Sequence, residues 1–91
     1  MPYITAADKE KWSTLTVVMN KIIDLNGITP GELNYLVTSL CQEYMRKKGE
    51  SYTFYNDVMG VLEGAKLELY RRKISKYEDG KIAANGDVYD K

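Results

Sequence analysis

The sequence predicts an all-α protein, a small three-helix domain with a packed C-terminal tail that associates with copies of itself. Three observations predict this class. Apolar residues recur at steps of three and four along three separate runs, the spacing of one helix face. Each run opens on a hydroxyl or proline start signal, and the first two close on glycine. The chain has 91 residues and one cysteine, so no internal disulfide can staple a core that a chain of this length builds only marginally. That shortfall points to self-association.

The first helix is expected over about residues 6–25. Thr5 is placed to accept the backbone N–H three residues on, and Asp8 suits the positive helix end. Trp12, Leu15, Met19 and Ile22 form one stripe, expected to face a core, and Asn26-Gly27 ends the run. The second helix, about 30–48, starts at Thr29-Pro30-Gly31-Glu32. This places a hydroxyl at the N-cap, proline first and a carboxylate third. Leu33, Leu36 or Val37, Leu40 and Tyr44 make its apolar face. Arg46, Lys47 and Lys48 precede the stop at Gly49 and complement the negative helix end.

Ser51 caps a third helix expected over about 52–76, although Ser51–Asn56 also reads as strand or loop. Val58, Leu62, Ala65 and Leu69 share one face. Met59, Leu67, Tyr70 and Ile74 form a second stripe, so this helix is central in its domain, contacts a partner subunit, or both. From Tyr77 to Lys91 the pattern changes to a tail with a turn at Asn85-Gly86. Ile82, Val88 and Tyr89 suit packing on the same domain or on a neighbour.

Composition excludes several classes of function. The chain has no histidine and equal numbers, 13 each, of basic and acidic residues. Ser-His-Asp and Cys-His catalysis and an ordinary zinc enzyme site are therefore excluded. Zero net charge argues against extended nucleic acid and against an anionic membrane surface. No apolar run reaches the ~20 residues that span a bilayer, and the opening residues lack a signal-peptide pattern, with Pro2 excluding myristoylation. One unpaired cysteine fits a reducing compartment, so the expectation is the cytosol. Cys41 reads as a buried structural thiol. No metal site and no cofactor are expected, and nothing in the pattern demands catalysis.

Three features rise above this background. Gly60 and Gly64 lie one turn apart on the third helix, flanked by Asp57, Glu68 and Arg71. Each glycine costs about 1 kcal/mol against alanine, so with Leu67 they mark either a helix–helix interface or an exposed face that tolerates them. The second feature is a basic cluster of Lys66, Arg71, Arg72, Lys73 and Lys76, interleaved with Tyr70 and Tyr77. Arginine forks match phosphate and tyrosine rings stack on bases. The competing reading is a solvated helix end whose cations answer the dipole or pair with Glu78 and Asp79. The third is tyrosine excess, eight against one phenylalanine, which favours half-buried interfaces and clefts.

Gly31-Glu32-Leu33-Asn34-Tyr35, Asn56 to Glu63, Glu68-Leu69-Tyr70-Arg71-Arg72, Tyr77-Glu78-Asp79 and Asn85-Gly86-Asp87-Val88-Tyr89 follow in this order. Together, over roughly residues 31–89, they resemble a family of small proteins of uncharacterised function encoded widely by bacteriophages. The resemblance implies a phage or prophage origin and an all-helical fold, with no catalytic assignment. By analogy with small phage proteins that capture nucleotide signals of bacterial immunity, it suggests a non-catalytic counter-defence binder in the host cytosol. The ligand would be a cyclic oligonucleotide or an ADP-ribose derivative. Its expected contacts are Lys66, Arg71 and Arg72 for phosphate, Tyr70 and Tyr77 for stacking, and Asn34, Tyr35, Asp79 and Asn85 for the remaining recognition. The alternative is a protein-interaction module that inhibits a host or defence protein.

Overall fold

A computed structural model describes residues 4–89. They are all-α, with no strand among the described residues. The chain divides into two units, Met1–Ser39 and Leu40–Lys91.

In the first unit, α1 (Ala6–Lys11) and α2 (Ser13–Asn26) are interrupted only at Trp12. Thr5 caps α1, its hydroxyl accepting the Asp8 N–H at 3.1 Å. At Trp12 the N–H turns back to Lys9 O at 3.1 Å, three residues away. Just beyond, the hydroxyls of Ser13 and Thr16 donate to the carbonyls of Glu10 and Ser13, both at 2.8 Å. Hydroxyls that compete for helix carbonyls in this way bend or break the ladder, so the expected first helix is two helices. Gly27 ends α2 at φ 68 and ψ −175.

α3 (Pro30–Lys48) begins with a reciprocal capping box. The Thr29 N–H donates to Glu32 Oε1 at 2.9 Å, and the Glu32 N–H donates to Thr29 Oγ1 at 3.1 Å. Two N–H groups with no partner inside the helix are thereby satisfied.

In the second unit, Gly49 at φ 94 closes α3, and Ser51 Oγ accepts the Phe54 N–H to start α4 (Tyr52–Leu69). Tyr44 ties the two together. Its hydroxyl donates to Asp57 Oδ2 at 2.9 Å and its ring meets Phe54 edge-on with centroids 6.3 Å apart. The helix then passes through one π-helical turn, Tyr70–Ile74, into α5 (Ser75–Asn85).

Two expectations are corrected here. The tail expected from Tyr77 is helical through Asn85, and the break falls at Gly86 with φ 91. Gly80 does not stop the helix, because Lys81-Ile82-Ala83-Ala84 after it are good formers. Beyond the break, Val88 and Tyr89 are 93% and 83% exposed, while Asp90 and Lys91 lie outside the described residues. The second correction concerns burial. No described residue is fully buried, and the stripe Trp12, Leu15, Met19 and Ile22 is exposed; a unit of under forty residues has too little chain to cover it. Cys41, expected buried, is half-buried.

Candidate functional site

The end of the long helix and the segment after it enclose an open groove of about 760 Å³. Tyr70, Ser75, Tyr77 and Ile82 line it from the helix, and Asp87 and Tyr89 from beyond Gly86. Glu78, Asp79, Lys81 and Asn85 also face it.

The π-helical turn organises this face. The Ser75 N–H donates to the Tyr70 carbonyl, five residues back. The Arg71 carbonyl, which would take that N–H in an α-helix, accepts the Ser75 hydroxyl at 2.7 Å instead. A residue that is both displaced and hydroxyl-bearing thus satisfies two carbonyls. The turn also holds one extra residue, which changes the phase of everything after it. Residues eight apart on an α-helix differ by about 80° in direction. With one extra residue absorbed, Tyr70 and Glu78 come into line, and the Tyr70 hydroxyl donates to Glu78 Oε1 at 2.7 Å.

That hydrogen bond raises the Tyr70 phenol above its ordinary value, helped by the charge of Glu78, slight burial and the charge of Asp79. The Lys81 ammonium sits 5.5 Å from the centre of the Tyr77 ring, within cation–π range. Asp87 Oδ1 accepts the Tyr89 N–H at 3.0 Å, which fixes the first turn after Gly86. The lining carries three carboxylates, Glu78, Asp79 and Asp87, against one ammonium, Lys81. Such a groove suits ring faces and hydroxyl donors better than a phosphate.

Of the residues expected to bind a ligand, Tyr70, Tyr77, Asp79 and Asn85 come together in the groove. Arg71 and Arg72 do not line it. They converge on Glu68, Arg72 Nε donating to its carboxylate at 2.6 Å and Arg71 Nη2 at 3.4 Å. Their partner is therefore Glu68 rather than Glu78 or Asp79. Arg72 holds the Glu68 carboxyl below the usual carboxylate range, slight burial opposing, with the Arg71 charge adding to the lowering. Lys66 pairs with Glu63 at 3.7 Å. Asn34 and Tyr35 belong to the first unit, where Asn34 Oδ1 accepts the Thr38 hydroxyl at 3.3 Å and Tyr35 is exposed. Of the residues expected at an interface, Leu67 is exposed, Gly60 has open space where a Cβ would stand, and Gly64 is half-buried.

Sequence reasoning missed Glu78, Lys81 and Asp87 as site groups. The Tyr77–Lys81 pair was readable from its i,i+4 spacing. The Tyr70–Glu78 pair was not, because an α-helical projection separates them. Among the described residues no group of His, Cys, Asp and Glu could hold a metal ion, and no helix is long and apolar enough to cross a membrane.

No curated protein and no solved structure matches the chain. One protein family does, described as a domain of unknown function (DUF6899), and its match runs over residues 1–88. Because the match takes in all but the last three of 91 residues, the chain belongs to the DUF6899 family.

Proposed function

We propose that this chain is a phage-encoded, self-associating binder that captures a nucleotide-type signal of bacterial immunity without turning it over. The observation that carries the reading is the groove, which gathers Tyr70, Tyr77, Asp79 and Asn85 at the end of one helix. Tyrosine faces stack on a base, and carboxylate and amide groups accept and donate to ribose hydroxyls. The acidic lining keeps phosphate out of the groove itself. In this reading the phosphate falls to the basic stretch from Arg71 to Lys76, supplied by the same chain or by a second copy. Lys73 and Lys76 form no ion pair among the described residues, so they have no competing carboxylate to release. The chain lacks histidine, the usual proton carrier near neutral pH, which favours capture over turnover.

Native mass spectrometry with cyclic oligonucleotides and ADP-ribose derivatives tests this. The expected result is an oligomer that retains one of them at fixed stoichiometry. Tyr77→Ala should weaken that binding about tenfold, since one stacked base is worth about 1–3 kcal/mol, and Arg71→Ala should abolish it with the oligomer intact. An oligomer that retains none of these compounds sinks the ligand reading.

One observation favours a second reading. α2 carries only Lys21 and Asp24 as charges, and Leu15, Val18, Met19, Ile22 and Leu25 are all exposed on it. A patch of this kind marks protein interaction sites, so inhibition of a host or defence protein is the alternative, tested by affinity capture from host lysate followed by reconstitution with the purified candidate.

A further inference from the structure

On α4, Tyr55, Leu62 and Leu69 are spaced by seven, and Val58 and Ala65 follow the first two by three. This is the a and d pattern of a helix-pairing seam, large and small residues alternating along it. The next seam positions would be residues 72 and 76, an arginine and a lysine. The π-helical turn removes the second of these. Leu69 and Tyr77 are eight apart, the same separation as Tyr70 and Glu78, whose 2.7 Å hydrogen bond shows the two ends in line across the turn. The extra residue therefore swings Tyr77 onto the face of Leu69, where an unbroken α-helix would hold it about 80° away. The seam then runs from Tyr55 to Tyr77. Val58 is half-buried, whereas Leu62 and Leu69 are 38% and 55% exposed. α3 meets α4 near its start, at Phe54 and Asp57, beside the first turn of the seam.

We infer that this seam is the surface on which a second copy of the chain docks, helix against helix. The amount of uncovered surface supports a permanent partner. The chain exposes 8400 Å². Two separate compact bodies of the sizes of its two units would together expose about 6500 Å². The excess of about 1900 Å² per chain is the scale of an obligate interface. A partner needed for folding must accompany every chain, and another copy always does. With zero net charge, no bulk repulsion opposes the pairing. The seam lies on the opposite side of the helix from Gly60, so it is not the glycine face that the sequence suggested.

This inference rests on the self-association proposed above and is independent of any ligand. Light scattering on the full chain should give a multimer that Leu62→Glu and Leu69→Glu each reduce to monomer mass, while Gly60→Ala leaves it intact. A photo-reactive phenylalanine analogue at Leu62 should give covalent dimers on a denaturing gel, and the same group at Gly60 should not. A multimer indifferent to both glutamates, or cross-linked from Gly60 alone, overturns the seam and leaves self-association standing. A monomeric wild type overturns both.

Discussion

Replacing Gly86 with alanine and replacing Gly80 with alanine should change stability in opposite directions, although the two glycines stand six residues apart on and just past one helix. Neither replacement meets a neighbour, because the added Cβ has nothing within 4 Å at either position. The effects are therefore those of the backbone alone. Gly86 adopts φ 91 and ψ 160, a region open essentially to glycine, and an alanine held there costs about 1–3 kcal/mol. Against this, alanine restricts the unfolded chain and returns about 0.4–1 kcal/mol. The net is a loss of about 1 kcal/mol. Gly80 is helical, within α5, so alanine there gains about 1 kcal/mol. For a domain of this size each kcal/mol moves Tm by about 4–8 °C. Thermal unfolding followed by circular dichroism should thus separate the two variants by roughly twice that interval, with wild type between them. Equal shifts, or a stabilising Gly86→Ala, would refute the argument that Gly86 is there for its backbone angles and that α5 continues through Gly80.

Other substitutions test the remaining local devices. Thr29→Ala removes half of the capping box and should cost about 1 kcal/mol, read as a lower Tm; an unchanged melt would mean the box adds nothing to α3. The Tyr70 phenol, raised by its hydrogen bond to Glu78, should titrate above the ordinary tyrosine value in phenolate absorbance. The stability it contributes is fully present below the unfolded-state value and is lost as pH rises through the folded one, so Tyr70→Phe should flatten the alkaline end of the stability profile. Glu68 has the opposite sign. Its carboxyl is lowered chiefly by Arg72, so its contribution is present above the ordinary glutamate range and is lost as pH falls through the folded value. Acid unfolding should show a step in wild type that Glu68→Gln lacks.

Much of the local structure was legible because each signal acts within one turn. Thr5, Thr29 and Ser51 cap from three residues away, and Gly27, Gly49 and Gly86 end helices through their own φ. Burial was not legible. A stripe such as Trp12, Leu15, Met19 and Ile22 shows that a helix has an apolar side, but periodicity does not say whether the covering element belongs to the same chain. The candidate site divides along the same line. Tyr70, Tyr77, Asp79 and Asn85 were found by residue type, whereas the assignment of Arg71 and Arg72 to Glu68 depends on which acid lies one turn back on the helix rather than just beyond its expected end.

The π-helical turn explains why the last third of the chain was the hardest to read. Projection at a fixed angle per residue assumes that every residue advances the helix equally, and a single extra residue rotates all later positions together. Under that assumption Tyr77 leaves the face of Leu69, Glu78 leaves the reach of Tyr70, and the apolar pattern stops near Lys76, which is why a tail was expected there. With the extra residue absorbed between Tyr70 and Ile74, Glu78 returns to the line of Tyr70 and Tyr77 to that of Leu69. The groove and the seam are therefore consequences of one local feature. Deleting one residue from Arg71–Lys73 should remove the π-helical turn yet preserve both alignments, since seven α-helical residues bring the chain back to within about 20° of its starting direction. Circular dichroism and light scattering on that deletion should find the helix and the multimer retained, and a deletion that dissociates the multimer while staying helical would show that the turn does more than correct phase.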